Sequence, residues 1–171
     1  MKTAIVTDTN SGITVEEGRQ SGIFVLPMPV IIEEHCYLEG VDITNKDLYQ
    51  AMTADKNLSS SQPSPGDVMD LWNRVLESGY DEIVHIPMSS GLSGSCQTAK
   101  QLALDYDSKV QVVDNHRISV TLMESVYDAK FLADQGKSAV EIRKYLEETA
   151  YQASIFLTVN SLKYLKKSGR I

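Results

Sequence analysis

At 171 residues and 42% hydrophobic content, the chain is long enough to bury a core of its own, with the natural size of one domain and a piece of another. A formal charge of −7 argues against a nucleic-acid or acidic-membrane partner, and the cations Lys163, Lys166, Lys167 and Arg170 near the end read as a solvated helix face. No apolar run approaches a membrane span, Asp8 interrupts any secretory leader, and two cysteines without a CxxC pattern suit a reducing compartment, so the sequence reads as cytoplasmic.

The chain opens with a short strand, Lys2 to Asp8, that runs into the polar turn Asp8-Thr-Asn-Ser-Gly12. An acid at the carboxyl end of an opening strand either meets a ligand, as in open α/β sheets, or caps the next segment. Thr14 and Glu17 form a capping box for a short helix. Residues 23 to 32 are strongly β-prone, but Pro27 and Pro29 demote them to an edge strand or an irregular extended segment. Glu39-Gly40 between two short apolar runs predicts a hairpin there. Thr44 and Asp47 start the next helix, and the hydroxyl-rich stretch from Leu58 to Gly66 reads as a turn. Ser64, Pro65 and Asp67 then open a helix whose stripe is Val68, Leu71, Trp72, Val75 and Leu76.

The most informative stretch is Ile86-Pro-Met-Ser-Ser-Gly-Leu-Ser-Gly-Ser95. Glu82 to Ile86 predicts a buried strand, which Pro87 ends. Leu92, Cys96, Ala99 and Ala103 recur at helical spacing, so a helix is expected to start near Ser90 to Ser93. A strand, a turn of Ser and Gly, and a helix N-terminus can form an anion site, with backbone N–H groups, hydroxyls and the positive dipole end facing one point. The alternative is that these serines are ordinary caps. Further strands are expected near residues 111 and 154 to 159, and helices over 118 to 133, after the Ser138/Glu141 capping box, and over 161 to 167 behind an Asn160 cap. Strands near residues 4, 84 and 111, each followed by a helix, imply a parallel α/β sheet whose polar strand ends share one edge.

The usual nucleotide fingerprints and the G-x-S-x-G elbow do not occur. The three histidines lack metal-ligand spacing, and His85 reads as a hydrogen-bonded core residue. A serine nucleophile would need His116, Asp8 or Asp114 as its base. That leaves an acyl- or phosphate-transfer enzyme built on Ser93 with Asp8 or Asp114 as the alternative to a binding protein, and a plain interaction module as a third reading.

Thr7-Asp8-Thr9, Ser60-Ser-Gln-Pro-Ser64, the Ile86 to Ser95 run, Val113-Asp114 and Ser168-Gly-Arg-Ile171 occur in the order and spacing of the DegV family, which the chain resembles along its whole length. It is similar to the fatty-acid-binding subunits of bacterial fatty acid kinase, which serve phospholipid metabolism. The resemblance implies a parallel-sheet α/β domain of DegV type over residues 1–152, followed at 153–171 by the start of a second α/β domain whose remainder is absent. It implies a long-chain fatty acid as ligand and no cofactor or metal. It also implies no intrinsic catalysis, no stable membrane insertion (transient exchange with a membrane is allowed), and a separate ATP-dependent kinase subunit as partner. The carboxylate is expected on Ser60, Ser61, Ser93 and Gly94, with Asp8, Asp114 and Arg170 as further ligand or partner contacts. The chain departs from the family where serine stands at Ser60 in place of the commoner threonine. It departs again at Asn10 and Asn115-His-Arg117, which replace small hydroxyl residues. Physical magnitudes suit a lipid carrier: a buried acyl chain contributes about 0.8 kcal/mol per CH₂, and each hydrogen bond to a charged carboxylate about 1.5–3 kcal/mol.

Overall fold

The computed structural model describes residues 1–159 and 162–167. In chain order the elements are β1 (Thr3–Asp8), α1 (Val15–Ser21), β2 (Ile23–Leu26), β3 (Pro29–Ile32), β4 (His35–Leu38), α2 (Asn45–Thr53), β5 (Leu58–Ser60) and α3 (Pro65–Glu77). They continue as β6 (Glu82–Ile86), α4 (Ser95–Leu102), β7 (Val110–Val112), α5 (Ser119–Asp134), α6 (Ala139–Glu148) and the short α7 (Lys163–Lys167). Four strands make a parallel sheet in the order β2-β1-β6-β7, and three make a second, antiparallel sheet in the order β4-β3-β5.

Every residue of β1 and β6 is buried, as a parallel sheet covered on both faces requires. Alternation then divides their side chains between two cores. Ile5, Val84 and Ile86 face Leu122, Val126, Ala129, Ile142 and Leu146 of α5 and α6. Ala4, Val6 and Ile83 face Val68, Leu71, Trp72 and Val75 of α3 and Cys96 and Ala99 of α4. The capping boxes expected at Thr14/Glu17 and Ser138/Glu141 form, and the helix starts expected at Thr44 and Ser64 turn out to be capping boxes with Asp47 and Asp67. Four helix starts therefore sit where the sequence puts them.

Several expectations are corrected. The segment at 23 to 32 is not one edge strand: it is β2 at the edge of the parallel sheet and β3 at the centre of the second one. Pro29 is tolerated there because it is the first residue of β3, where a missing N–H costs little. The hairpin is the antiparallel pair β3 and β4, turning at Glu33-Glu34; Glu39-Gly40 lies beyond it, and Glu39 makes only an isolated parallel bridge to Ile43. Leu58 to Ser60 is a strand, with Ser60 opposite Val30, so the hydroxyl-rich turn begins only after it. Residues 154 to 159 form no strand. The last helix is α7, and its expected cap Asn160 lies outside the described residues.

His85 is buried in β6, but not as a hydrogen-bonded residue: neither ring nitrogen has a partner among the described residues. It packs edge-on against Trp72, with ring centroids 5.5 Å apart and planes at 81°. Burial alone pushes its pKa down to about 3, so it is held neutral. Against Trp72, a neutral imidazole behaves as a small aromatic side chain.

Candidate functional site

The site is built around residues 87 to 94, which leave β6 at the carboxyl edge of the parallel sheet. Residues from the two flanking strand ends grip this loop through its own backbone. Asp8, ending β1, accepts the Met88 N–H at 3.0 Å. Asp114, beyond β7, accepts the Ser90 N–H at 3.3 Å, and the Arg117 carbonyl accepts the Ser89 N–H at 2.9 Å. Thr7 adds a bond from its hydroxyl to the Ile86 carbonyl at 2.8 Å. Loops usually lie at the surface because buried backbone polar groups need partners. Here Asp8, Asp114 and the Arg117 carbonyl supply those partners, the last of them for Ser89, which is buried.

Asp8 is almost fully buried, and one of its oxygens also accepts both the backbone and side-chain N–H of Asn10 at 3.0 Å. Burial raises its pKa above the usual carboxylate value, and the bonds from Met88 and Asn10 oppose that shift without cancelling it. Asp114 is more open. Burial raises its pKa, but donation from Ser90, aided by His116 at 3.6 Å and Lys100 at 3.9 Å, outweighs this and lowers it overall. The two acids are thus anchors of the loop, each engaged by N–H groups.

Within the loop, the Ser89 carbonyl accepts the N–H groups of Leu92 and Ser93, and its hydroxyl accepts that of Gly91. The chain turns back on itself and places Ser93 just before α4. Ser93 Oγ accepts the Ser95 N–H at 3.2 Å, which orients the hydroxyl while leaving its proton to donate outward. The helix therefore starts at Ser95, two residues after the latest expected position, with Gly94 as an exposed N-cap that has no side-chain cap bond. Ser95 Oγ is buried and has no partner among the described residues.

The turn after β5 reaches this helix start. The Thr98 hydroxyl lies 3.2 Å from Gln62 Nε2 and 3.3 Å from Gln62 Oε1. A Cβ on Gly94 would lie only 3.2 Å from Gln62 Oε1, so a glycine lets the two segments meet. The structure thus brings Gln62, which follows the exposed Ser60 and Ser61, to Gly94 and Thr98 at the start of α4. Asp8 and Asp114 lie behind the loop, holding its backbone. Arg170 lies outside the described residues. Gln62, Thr98 and Arg117 were not singled out as site residues from sequence. Gln62 sits inside the Ser60 to Ser64 motif and Arg117 inside the Asn115-His-Arg117 departure, both usable signals, whereas Thr98 carried none in spacing or type.

Among the described residues no group of His, Cys, Asp and Glu could hold a metal ion, and no helix is long and apolar enough to cross a membrane. A groove of about 450 Å³ runs between the second sheet and α2, lined by Ile32, Tyr37, Ile43 and Ala51 with Asp42 and Asp47, and it does not include the serine turns.

The fold and site together define a parallel α/β domain with a cluster of serine hydroxyls and a helix N-terminus at the carboxyl edge of its sheet. The chain belongs to the DegV family, described as uncharacterised proteins, whose model matches residues 2–171. It is 34% identical over 172 residues to a DegV domain-containing protein of Deinococcus radiodurans, covering 100% of this chain and 61% of that protein. It is 35% identical over 172 residues to one of Clostridium acetobutylicum, covering 99% and 60%. The chain thus spans about 61% of the length of the curated relatives it matches. Among solved structures it is similar to a fatty-acid-binding DegV family protein of Thermus thermophilus, with a TM-score of 0.86, 28% identity and coverage of 99% of this chain and 60% of that one. It is also similar to DegV, a fatty acid binding protein of Bacillus subtilis, at TM-score 0.84, 26% identity and coverage of 99% and 61%. A stearic-acid-binding protein of Eubacterium ventriosum gives TM-score 0.80, 28% identity and coverage of 98% and 59%.

Proposed function

We propose that this chain binds a long-chain fatty acid and presents its carboxylate to a separate ATP-dependent kinase subunit in the cytoplasm, without catalysing a reaction itself. The observation that carries this reading is the bridge from Gln62 to Thr98 beside Gly94. It ties the chain just after Ser60 and Ser61 to the start of α4, where the carboxylate is proposed to sit among Ser60, Ser61, Ser93 and Gly94. A carboxylate there would meet several hydroxyl donors and the positive end of a helix, each favouring a negative charge. Arg170 is proposed as a further contact to the ligand or the partner, and residues 153–171 as the opening of a second domain after the head-group domain 1–152. Solved relatives that bind fatty acids support the ligand class.

The anchors speak for binding over catalysis. Asp8 and Asp114 are the acids that could serve Ser93 as a base, and both are spent on loop N–H groups of other residues. No cofactor is needed for a carrier of this kind. Native mass spectrometry of protein purified from cells tests the reading, with the mass of one long-chain acid as the expected adduct. Incubation with ATP and a fatty acid should give no acyl phosphate until a kinase subunit is added. A clean ligand-free mass that persists after addition of oleate, or acyl phosphate made by this chain alone, would overturn it.

A further inference from the structure

Arg117 is buried, and its guanidinium is held by neutral acceptors. Nε donates to the Ala150 carbonyl at 3.2 Å, Nη2 to the Thr149 carbonyl at 2.6 Å, and Nη1 to the Ser125 hydroxyl at 2.8 Å. Thr149 and Ala150 follow the last turn of α6, where unpaired carbonyls gather and the helix dipole is negative, so a cation fits there without an acid. The same residue's carbonyl accepts the Ser89 N–H at 2.9 Å. Ser89 in turn closes the turn that sets Ser93, through its carbonyl bonds to Leu92 and Ser93. One residue therefore joins the end of α6, from which the chain runs on through residues 150 to 159, to the loop that carries the serine site.

We propose that Arg117 is a positioning residue for the head-group site: it fixes the Ser89 to Gly94 loop relative to the polypeptide that leaves the domain after α6. A planar guanidinium with five donors can serve two carbonyls and a hydroxyl at once, whereas the ammonium of lysine is a single point charge and cannot span them. The backbone around it is bent to allow this. His116 beside it has φ +56°, in the left-handed region, and its ring stacks on Tyr151 at 5.2 Å and 17°, a second tie between the same two segments. Disturbing the guanidinium should therefore be felt at Ser93, with no direct contact between them.

This inference rests on the fatty-acid reading, and the experiment separates the two. Oleate binding is measured by calorimetry for the parent chain, Arg117→Lys, Ser93→Ala and the double variant, with amide exchange at Leu92 and Ser93 followed without lipid. Arg117→Lys is expected to weaken oleate binding about tenfold, and this loss should shrink to within about twofold when Ser93 is already alanine, because the two act through one contact. Exchange at Leu92 and Ser93 should quicken in Arg117→Lys. Ser125→Ala, which removes one acceptor and keeps the guanidinium, should show the same pattern at about a third of the size and serves if the lysine variant does not fold. A role in stability alone would lower the melting temperature while leaving the affinity loss the same in both backgrounds, which would overturn the proposal. Unchanged exchange at Leu92 and Ser93 would also overturn it, whether or not oleate binds. Absence of binding by the parent chain, with exchange altered as described, would count against the fatty-acid reading and leave the loop coupling standing.

Discussion

Ser93 has one hydrogen bond from the Ser95 N–H, and that bond fixes the direction in which its own proton can point. A hydroxyl oriented before the ligand arrives gives up little freedom on binding, which favours one charge-assisted bond of about 1.5–3 kcal/mol. Ser93→Ala is therefore expected to weaken oleate binding roughly tenfold, read by calorimetry, with the fold unchanged. Equal affinity for variant and parent would take Ser93 out of the site. His85 makes the second argument at this scale. Its pKa is about 3 in the folded chain, against an ordinary value of 6.5. Between those values the unfolded chain binds a proton that the folded one does not, so stability falls as pH drops through that window and is fully present above it. In urea titrations, the stability of the parent relative to His85→Leu should decline steadily from pH 7 toward pH 4. A difference that stays constant with pH would show that the buried imidazole is not the group responsible.

Among the elements, α1 shows how closely helix and sheet can approach. A Cβ on Gly18 would lie 2.5 Å from Val25 Cγ2 and 2.8 Å from the Ile23 carbonyl oxygen, and the second of these is backbone and cannot turn aside. Alanine would favour the helix by about 1 kcal/mol, but overpacking against β2 costs about 1–3 kcal/mol. Gly18→Ala should lower stability in chemical denaturation, and a gain would mean that α1 slides on the sheet. The same close packing explains what the sequence could and could not tell. Capping boxes are local, so four helix starts could be read directly. The strands at residues 4 and 84 are buried on both faces, and at residue 111 Val110 and Val112 flank a half-buried Gln111 in the alternation of an edge strand, so each could be read. The sheet of β3, β4 and β5 was missed because its partners are set by tertiary pairing: Ser59 and Ser60 look like turn residues until Ile31 and Val30 lie opposite them. The serine cluster was legible as a motif, but its junction was not. Gln62 meeting Thr98 joins residues 36 positions apart, and no local pattern marks such a contact.

At the scale of the whole molecule, the end of the described chain differs from the rest. Tyr151 is 81% exposed, Phe156 94% and Leu157 63%, while the two cores of the parallel sheet are closed. The α7 helix nevertheless touches the domain through an ion pair between Lys163 and Asp55, while residues 153 to 159 are mostly exposed. Full burial of a side chain such as Phe or Leu contributes about 1.5–3 kcal/mol, so covering Phe156, Leu157 and Val159 together would offset much of the cost of ordering this segment against a partner. Exposed apolar, β-prone backbone is also a template for pairing with another chain. A species made of these 171 residues should therefore associate as its concentration rises, through residues 154 to 159. Phe156→Glu with Leu157→Lys should abolish that association in light scattering without changing the stability of the parallel-sheet domain. Concentration-independent monomers with strong amide protection from Ile155 to Val159 would show instead that this segment is already covered.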